Sequence, residues 1–256
     1  MRALILPLSM SVLYLSTVTP ARAILTRPDR SDEEYVKLAS KYPASVCLNL
    51  PDGEATLIAP RWLLTAAHLA KDIKTGAAAP PISIGTKQFR PERVIVHPDF
   101  KSAKTGADLA LVRLDSAVFE VAPVPVFRGA EEAGKIATIV GHGYAGTLEK
   151  GPVPKAQWDH KKRAATNKIE RVIRDKWLLF VVDRPDKATD LEGAGGPGDS
   201  GGPAFIEIGG RTYVAGVSSF TDDSNVNGIV GDYGDKEAYT RVSRFADWIA
   251  ETTKAE

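Results

Sequence analysis

The chain has 256 residues, 43 % apolar and 25 % charged, which are the proportions of a globular protein and exclude a disordered one. Its 33 basic and 32 acidic side chains nearly cancel to a formal charge of +1, and no basic block is long enough for a nucleic-acid arm. The single cysteine, Cys47, excludes an intramolecular disulfide, so packing alone must hold the fold.

In chain order, the first element reads as an export signal. Arg2 supplies a positive start, residues 3–16 are apolar and uncharged, and Ala21-Arg22-Ala23 fits a small-x-small cleavage site. The run is shorter than the roughly 20 residues of a membrane span. Residues 1–23 therefore read as a signal peptide, Ile24 as the mature start, and no membrane anchor is expected after removal. Ser31 and Glu34 form a capping-box pattern ahead of Tyr35, Leu38 and Ala39, predicting a helix over 31–41.

Strand-like runs follow at 44–50, returned by the turn Pro51-Asp52-Gly53 into 55–58, then at 93–96 and 108–114. The second half repeats the style at 137–140, 177–182, 203–208, 212–218 and 238–242. Short strands at this spacing predict an all-β barrel or sandwich. Val242, Phe245, Trp248 and Ile249 share one helical face, with Ser243 as N-cap, and predict a closing C-terminal helix. Cys47, between Val46 and Leu48, reads as a buried structural thiol. Lys161-Lys162-Arg163 reads as a solvated loop.

Three stretches carry chemistry, in the order His, Asp, Ser: Thr65-Ala66-Ala67-His68, Asp108-Leu109-Ala110-Leu111-Val112 and Gly198-Asp199-Ser200-Gly201-Gly202-Pro203. A hydroxyl needs a neighbouring base to become a nucleophile, and that base needs a buried carboxylate to fix its tautomer. Glycines around Ser200 permit a tight turn and leave the N–H groups of Gly198 and Ser200 for a developing oxyanion. The order differs from that of subtilisin-type and α/β-hydrolase triads.

Together these stretches resemble the trypsin/chymotrypsin-like serine peptidases, in an exported form without disulfides. Gly53, Leu69 and Gly196 stand where cysteines of the family are expected. The resemblance covers nearly the whole mature chain and is strongest in the motif islands. It implies two packed antiparallel β-barrels with the active site in the cleft between them. The first would span about 24–130 and the second about 131–241, before a helix at about 242–253. It implies Ser200 as nucleophile, His68 as general base, Asp108 as its support, and Gly198 with Ser200 as the oxyanion hole.

The resemblance also implies a substrate pocket. Ala194 would lie at its base, where Arg/Lys-specific members carry Asp. Gly195, Ser219, Phe220, Thr221 and Glu237 would form its walls, with Thr221 and Glu237 replacing glycines. Glu237 could recruit a basic substrate side chain, pair with Lys236 or Arg241, or shorten the pocket. A small or aliphatic preference is favoured slightly over a basic one. In the family, the carboxylate equivalent to Asp199 accepts a newly formed N-terminal ammonium, and signal removal here would expose Ile24. The rival is an internal partner for Asp199, since Leu25-Thr26-Arg27 replaces the flexible Val-Gly-Gly of the family.

The remaining histidines, His97, His142 and His160, read as structural or solvent-facing. Asp222, Asp223, Asp232 and Asp235 read as a solvated acidic loop rather than a calcium site, and no metal or cofactor is expected. The reading is a monomeric serine endopeptidase, secreted or periplasmic, acting on polypeptides and not on nucleic acid. The alternatives are a catalytically silent binding protein on the same fold, and a narrow-specificity esterase or processing peptidase.

Overall fold

The computed structural model describes residues 24–48, 53–152 and 159–254. The expected signal peptide and most of the turn after residue 48 lie outside these residues. The described chain enters through β1 (Leu25–Thr26) and α1 (Asp32–Ala39). A first lobe follows, with β2 (Ser45–Cys47), β3 (Glu54–Ala59), β4 (Trp62–Thr65), β5 (Ile82–Ile84), β6 (Lys87–Phe89), β7 (Pro91–Val96) and β8 (Ala110–Leu114). The second begins with β9 (Ile136–Gly141), β10 (Gly146–Thr147), β11 (Gly151–Pro152) and β12 (Arg163–Ile173). It continues through β13 (Trp177–Val181), β14 (Gly193–Ala194), β15 (Pro203–Ile208), β16 (Arg211–Asp222) and β17 (Lys236–Arg241). A 3-10 turn, Val242–Phe245, leads into α2 (Ala246–Lys254).

The second lobe closes as an antiparallel barrel in the order β12-β13-β17-β16-β15-β9. The first is a five-stranded antiparallel sheet, β2-β3-β4-β8-β7, with the β5–β6 hairpin packed against β2. The fold is all-β as expected, and one closed barrel beside a second antiparallel sheet is consistent with the two-barrel architecture. One apolar cluster joins the lobes: Leu57, Leu63, Leu64 and Leu111 pack in the same core as Val140, Phe205, Val217 and Ile249. Each such side chain contributes about 1.5–3 kcal/mol when removed from water, and the shared core holds the cleft walls in register.

The strands missed in the sequence have identifiable reasons. All four residues of β4 are buried, so no period-two alternation marks it. The long β12 was obscured by its basic start. Arg163, read as part of a solvated loop, is instead wholly buried. Its Nε and Nη2 donate to Asp32 at 2.5 and 2.9 Å, and Nη2 also reaches Asp159 at 2.7 Å. A buried guanidinium is tolerable only with such partners. Lys162 is also drawn in, its Nζ donating to the carbonyls of Tyr42 and Ser45.

That ion pair explains a second correction. Residues from 24 onward were assigned to the first barrel, but β1 pairs with β10 and β14, and α1 packs on β12. Both elements sit on the second lobe. The capping box at Ser31 and Glu34 is present as expected. Ser243 is not an N-cap: its hydroxyl donates to Glu132 at 2.6 Å, inside the 3-10 turn. Val242, Phe245 and Ile249 are buried and Trp248 packs against the same core, as the helical pattern predicts. Cys47 is half-buried rather than fully buried, because β2 is the edge strand of its sheet. Among the described residues no helix is long and apolar enough to cross a membrane.

Candidate active site

His68 and Asp108 are neighbours because of one ladder. β4 and β8 pair with Thr65 opposite Ala110, so the turn just after β4 meets the residues just before β8. His68 lies in that turn, Ala67–Leu69. Asp108 is wholly buried. Its Oδ1 accepts the His68 backbone N–H at 2.9 Å, and its Oδ2 faces His68 Nδ1 at 2.8 Å. The Ser219 hydroxyl donates to the same Oδ2 at 2.7 Å. A buried carboxylate is costly unless satisfied, and these groups satisfy it. With Nδ1 held by the carboxylate, Nε2 is the imidazole nitrogen left to act as a base.

Ser200 is held to both lobes. Its carbonyl accepts the Glu54 N–H from β3 at 2.8 Å, and Gly201 N–H donates to Ser218 O on β16 at 3.0 Å. Gly201 has φ +82°, and a Cβ there would overlap Glu54 O and Thr65 Oγ1. The Ser200 loop therefore packs directly on the two strands that precede His68, and only glycine fits that contact. Gly198 also takes a left-handed conformation, φ +98°. Among the described residues, no protein acceptor takes the N–H groups of Gly198 or Ser200.

Ser200 borders a cavity of about 200 Å³ whose walls include Gly195, Ser219, Phe220, Thr221 and Glu237. Ser219 thus touches both Asp108 and the cavity that holds Ser200. Ala194 does not reach this cavity. It is wholly buried behind it, opposite Leu25 in the ladder and packed with Leu148 and Val182. The expected place at the pocket base is not seen: Ala194 packs in an apolar cluster with Leu25, Leu148 and Val182 and does not line the cavity.

Asp199 is buried, with its carboxylate accepting N–H groups of Gly143 and Gly196, both at 2.8 Å. Burial, reinforced by the nearby Glu54 charge, pushes its carboxyl up to about 7. Glu54 itself was not singled out from sequence. It is buried at the start of β3 and bonds His142 through the ring Nδ1 at 3.0 Å and the backbone N–H at 3.0 Å. Burial raises its carboxyl, while His142 opposes that rise. A lone Glu after a turn carries no signal of such a role. Ile24 is buried with φ +60°, a strained value for a β-branched residue.

The other candidates are structural. His97 packs edge-on against Phe245 and Trp248, and burial pushes its imidazole down. His160 is exposed. The acidic loop is less solvated than expected. Asp235 is wholly buried and accepts N–H groups of Ser224 and Gly231, and Asp232 accepts the side-chain amides of Asn225 and Asn227. Asp223 accepts N–H groups of Asn227 and Gly228, while Asp222 pairs with Lys104. Among the described residues, no cluster of side chains suited to a metal ion occurs.

Comparison with known proteins adds an independent line. The family described as Trypsin matches residues 35–249. Vitamin K-dependent protein C of Oryctolagus cuniculus is 28 % identical over 228 residues, 76 % of this chain and 45 % of that protein. The chain therefore spans less than half the length of that relative.

Proposed function

The chain belongs to the trypsin family of serine endopeptidases, and we propose that it is exported through residues 1–23 and cleaves polypeptides with His68, Asp108 and Ser200. The observation that carries this reading is the buried Asp108 carboxylate shared by His68 and Ser219, with Ser219 and Ser200 bordering one cavity. In this mechanism His68 Nε2 takes the proton of the Ser200 hydroxyl as its oxygen attacks the substrate carbonyl. The oxyanion is received by the N–H groups of Gly198 and Ser200, which contribute roughly 3–4 kcal/mol each to the transition state. His68 then protonates the leaving amine, and water hydrolyses the acyl-enzyme. Asp108 stays ionised and stabilises the imidazolium.

Activation follows from export in this reading. Cleavage before Ile24 creates an ammonium group, and β1, which follows at once, pairs with the strand leading into residues 195–199. An ammonium beside the Asp199 carboxylate would offset the burial that holds its proton on. Freeing the chain before Ile24 also removes the constraint on its φ angle. The working location is secreted or periplasmic.

The test is the intact mass of the exported protein before and after an organophosphonate probe, with peptide mapping of the adduct. The expected result is one adduct on Ser200 in a chain beginning at Ile24. A folded chain beginning there that takes no adduct would refute a competent triad and favour a silent binding protein. Matched ester and peptide substrates separate an esterase from a peptidase. Ser200→Ala should abolish turnover by a factor on the order of 10⁶; substantial residual peptidase activity would refute the assignment.

A further inference from the structure

The N–H groups of Gly198 and Ser200 belong to two peptide units, and each unit is held by its carbonyl. A trans peptide points its C=O and N–H in opposite directions, so a bonded carbonyl fixes where the N–H aims. The Asp199 carbonyl accepts the Gly202 N–H at 3.0 Å, which sets the Ser200 N–H. The Pro197 carbonyl accepts the Tyr144 N–H at 2.6 Å, which sets the Gly198 N–H. That second unit is the freer one, because Gly198 has no Cβ and takes φ +98°. Its orientation therefore depends on where residues 142–144 sit. These follow β9 and present three successive N–H groups. Gly143 donates to Asp199 Oδ1 at 2.8 Å and Tyr144 to Pro197, both in the nucleophile loop. The first, His142, donates at 3.0 Å to Glu54 Oε1, and its ring Nδ1 lies 3.0 Å from Oε2. Glu54 belongs to β3 of the other lobe and is 1 % exposed. Its own N–H holds the Ser200 carbonyl at 2.8 Å. One residue of the first lobe thus grips the loop at Ser200 directly and at Pro197 through residues 142–144. Hydrogen bonds to a carboxylate are stronger than those between neutral groups.

We infer that Glu54 is a positioning residue: its carboxylate anchors residues 142–144 and so keeps the Gly198 N–H aimed at the oxyanion. The inference rests on the serine-endopeptidase reading and adds a residue outside the three motifs that carry it. Glu54 does not line the Ser200 cavity, so it acts on the loop and not on the substrate. Without its carboxylate the loop keeps the main-chain bond from residue 54 to Ser200 but loses the anchor at His142. Tyr144 then moves with its segment, the Pro197–Gly198 unit is free to rotate, and one of the two donors is misaimed for part of the time. Binding of the substrate itself is untouched, because the oxyanion forms only as Ser200 attacks.

The experiment measures kcat and KM on one cleaved peptide amide in the wild type, Glu54→Ala and Glu54→Gln, each titrated at Ser200 with an organophosphonate. A peptide aldehyde, whose hemiacetal with Ser200 places an oxyanion in the hole, is compared with the matching alcohol, which forms none. Glu54→Ala should lower kcat roughly 10- to 100-fold, at or below the cost of deleting a donor outright, with KM unchanged. Aldehyde affinity should fall by the same factor as kcat, and alcohol affinity should stay constant. Glu54→Gln still accepts the His142 N–H and should recover most of the loss. In a Ser200→Ala background, amide exchange should quicken at residues 142–144 and 198–200 in Glu54→Ala and not across the β4–β8 ladder. An unchanged kcat, an alcohol affinity that falls with the aldehyde's, or a Glu54→Gln no better than Glu54→Ala would overturn the inference. If Glu54→Ala does not fold, Glu54→Asp, which keeps the charge and withdraws it by one methylene, must show the same split of kcat from KM. Failure of the wild type to label at Ser200 would defeat the catalytic reading alone. Glu54 would then stand as the anchor of the loop if exchange quickens there, and fall if it does not.

Discussion

Replacing Glu237 with Gln should change how stability depends on pH, by an amount that follows from the structure. The carboxyl has an ordinary value of 4.5 and sits at about 8 in the fold, chiefly because of burial. As pH rises the unfolded chain loses this proton first, so the folded state binds more protons and stability falls. The fall begins near pH 4.5 and levels above about pH 8. Integrated from pH 5 to pH 8, this single group removes about 3 kcal/mol. Gln has no proton to lose and nearly the same shape. Urea unfolding at the two pH values, in a Ser200→Ala background that prevents self-cleavage, gives both curves. Asp199 acts on Glu237 through its charge, so the difference between the proteins reports Glu237 together with its coupling to Asp199. The wild type should lose about 3 kcal/mol more than Glu237→Gln over that interval. Parallel pH profiles would show that Glu237 is not held protonated by burial, and the reasoning would fail.

Two further outcomes test the scaffold and the site. Arg163→Met leaves Asp32 and Asp159 facing each other without their cation and should cost about 3–5 kcal/mol. That loss corresponds to a melting temperature lower by roughly 6–20 °C; a loss below about 1 kcal/mol would mean that α1 is not held by this pair. Ser219→Ala removes one donor from the buried Asp108 carboxylate and should slow phosphonate labelling of Ser200 by roughly 10-fold or more. Unchanged labelling would show that His68 and the backbone satisfy Asp108 without it.

The parts legible in the sequence are those written in local pattern. His68, Asp108 and Ser200 stand in short motifs whose residue types the chemistry requires, and their order named the family before any fold was seen. Alternation and turn residues marked most strands, and the capping box at Ser31 marked α1. Local pattern failed where burial erased it, as in β4, or where charge disguised it, as in β12. Arg163 looks like any basic surface residue until Asp32, 131 positions earlier, is brought beside it. The match of Thr65 with Ala110 across the β4–β8 ladder, not the motifs, sets His68 against Asp108. Ala194 and Glu237 make the same point within one cavity. The family resemblance put the methyl group at its base and left three fates open for the carboxylate. Only the folded chain packs Ala194 with Leu25 and Leu148, holds Glu237 beside Gly195, and leaves one of its oxygens without a partner among the described residues. Residue identity sets what a side chain can do, but desolvation and distance, which exist only in three dimensions, decide what it does.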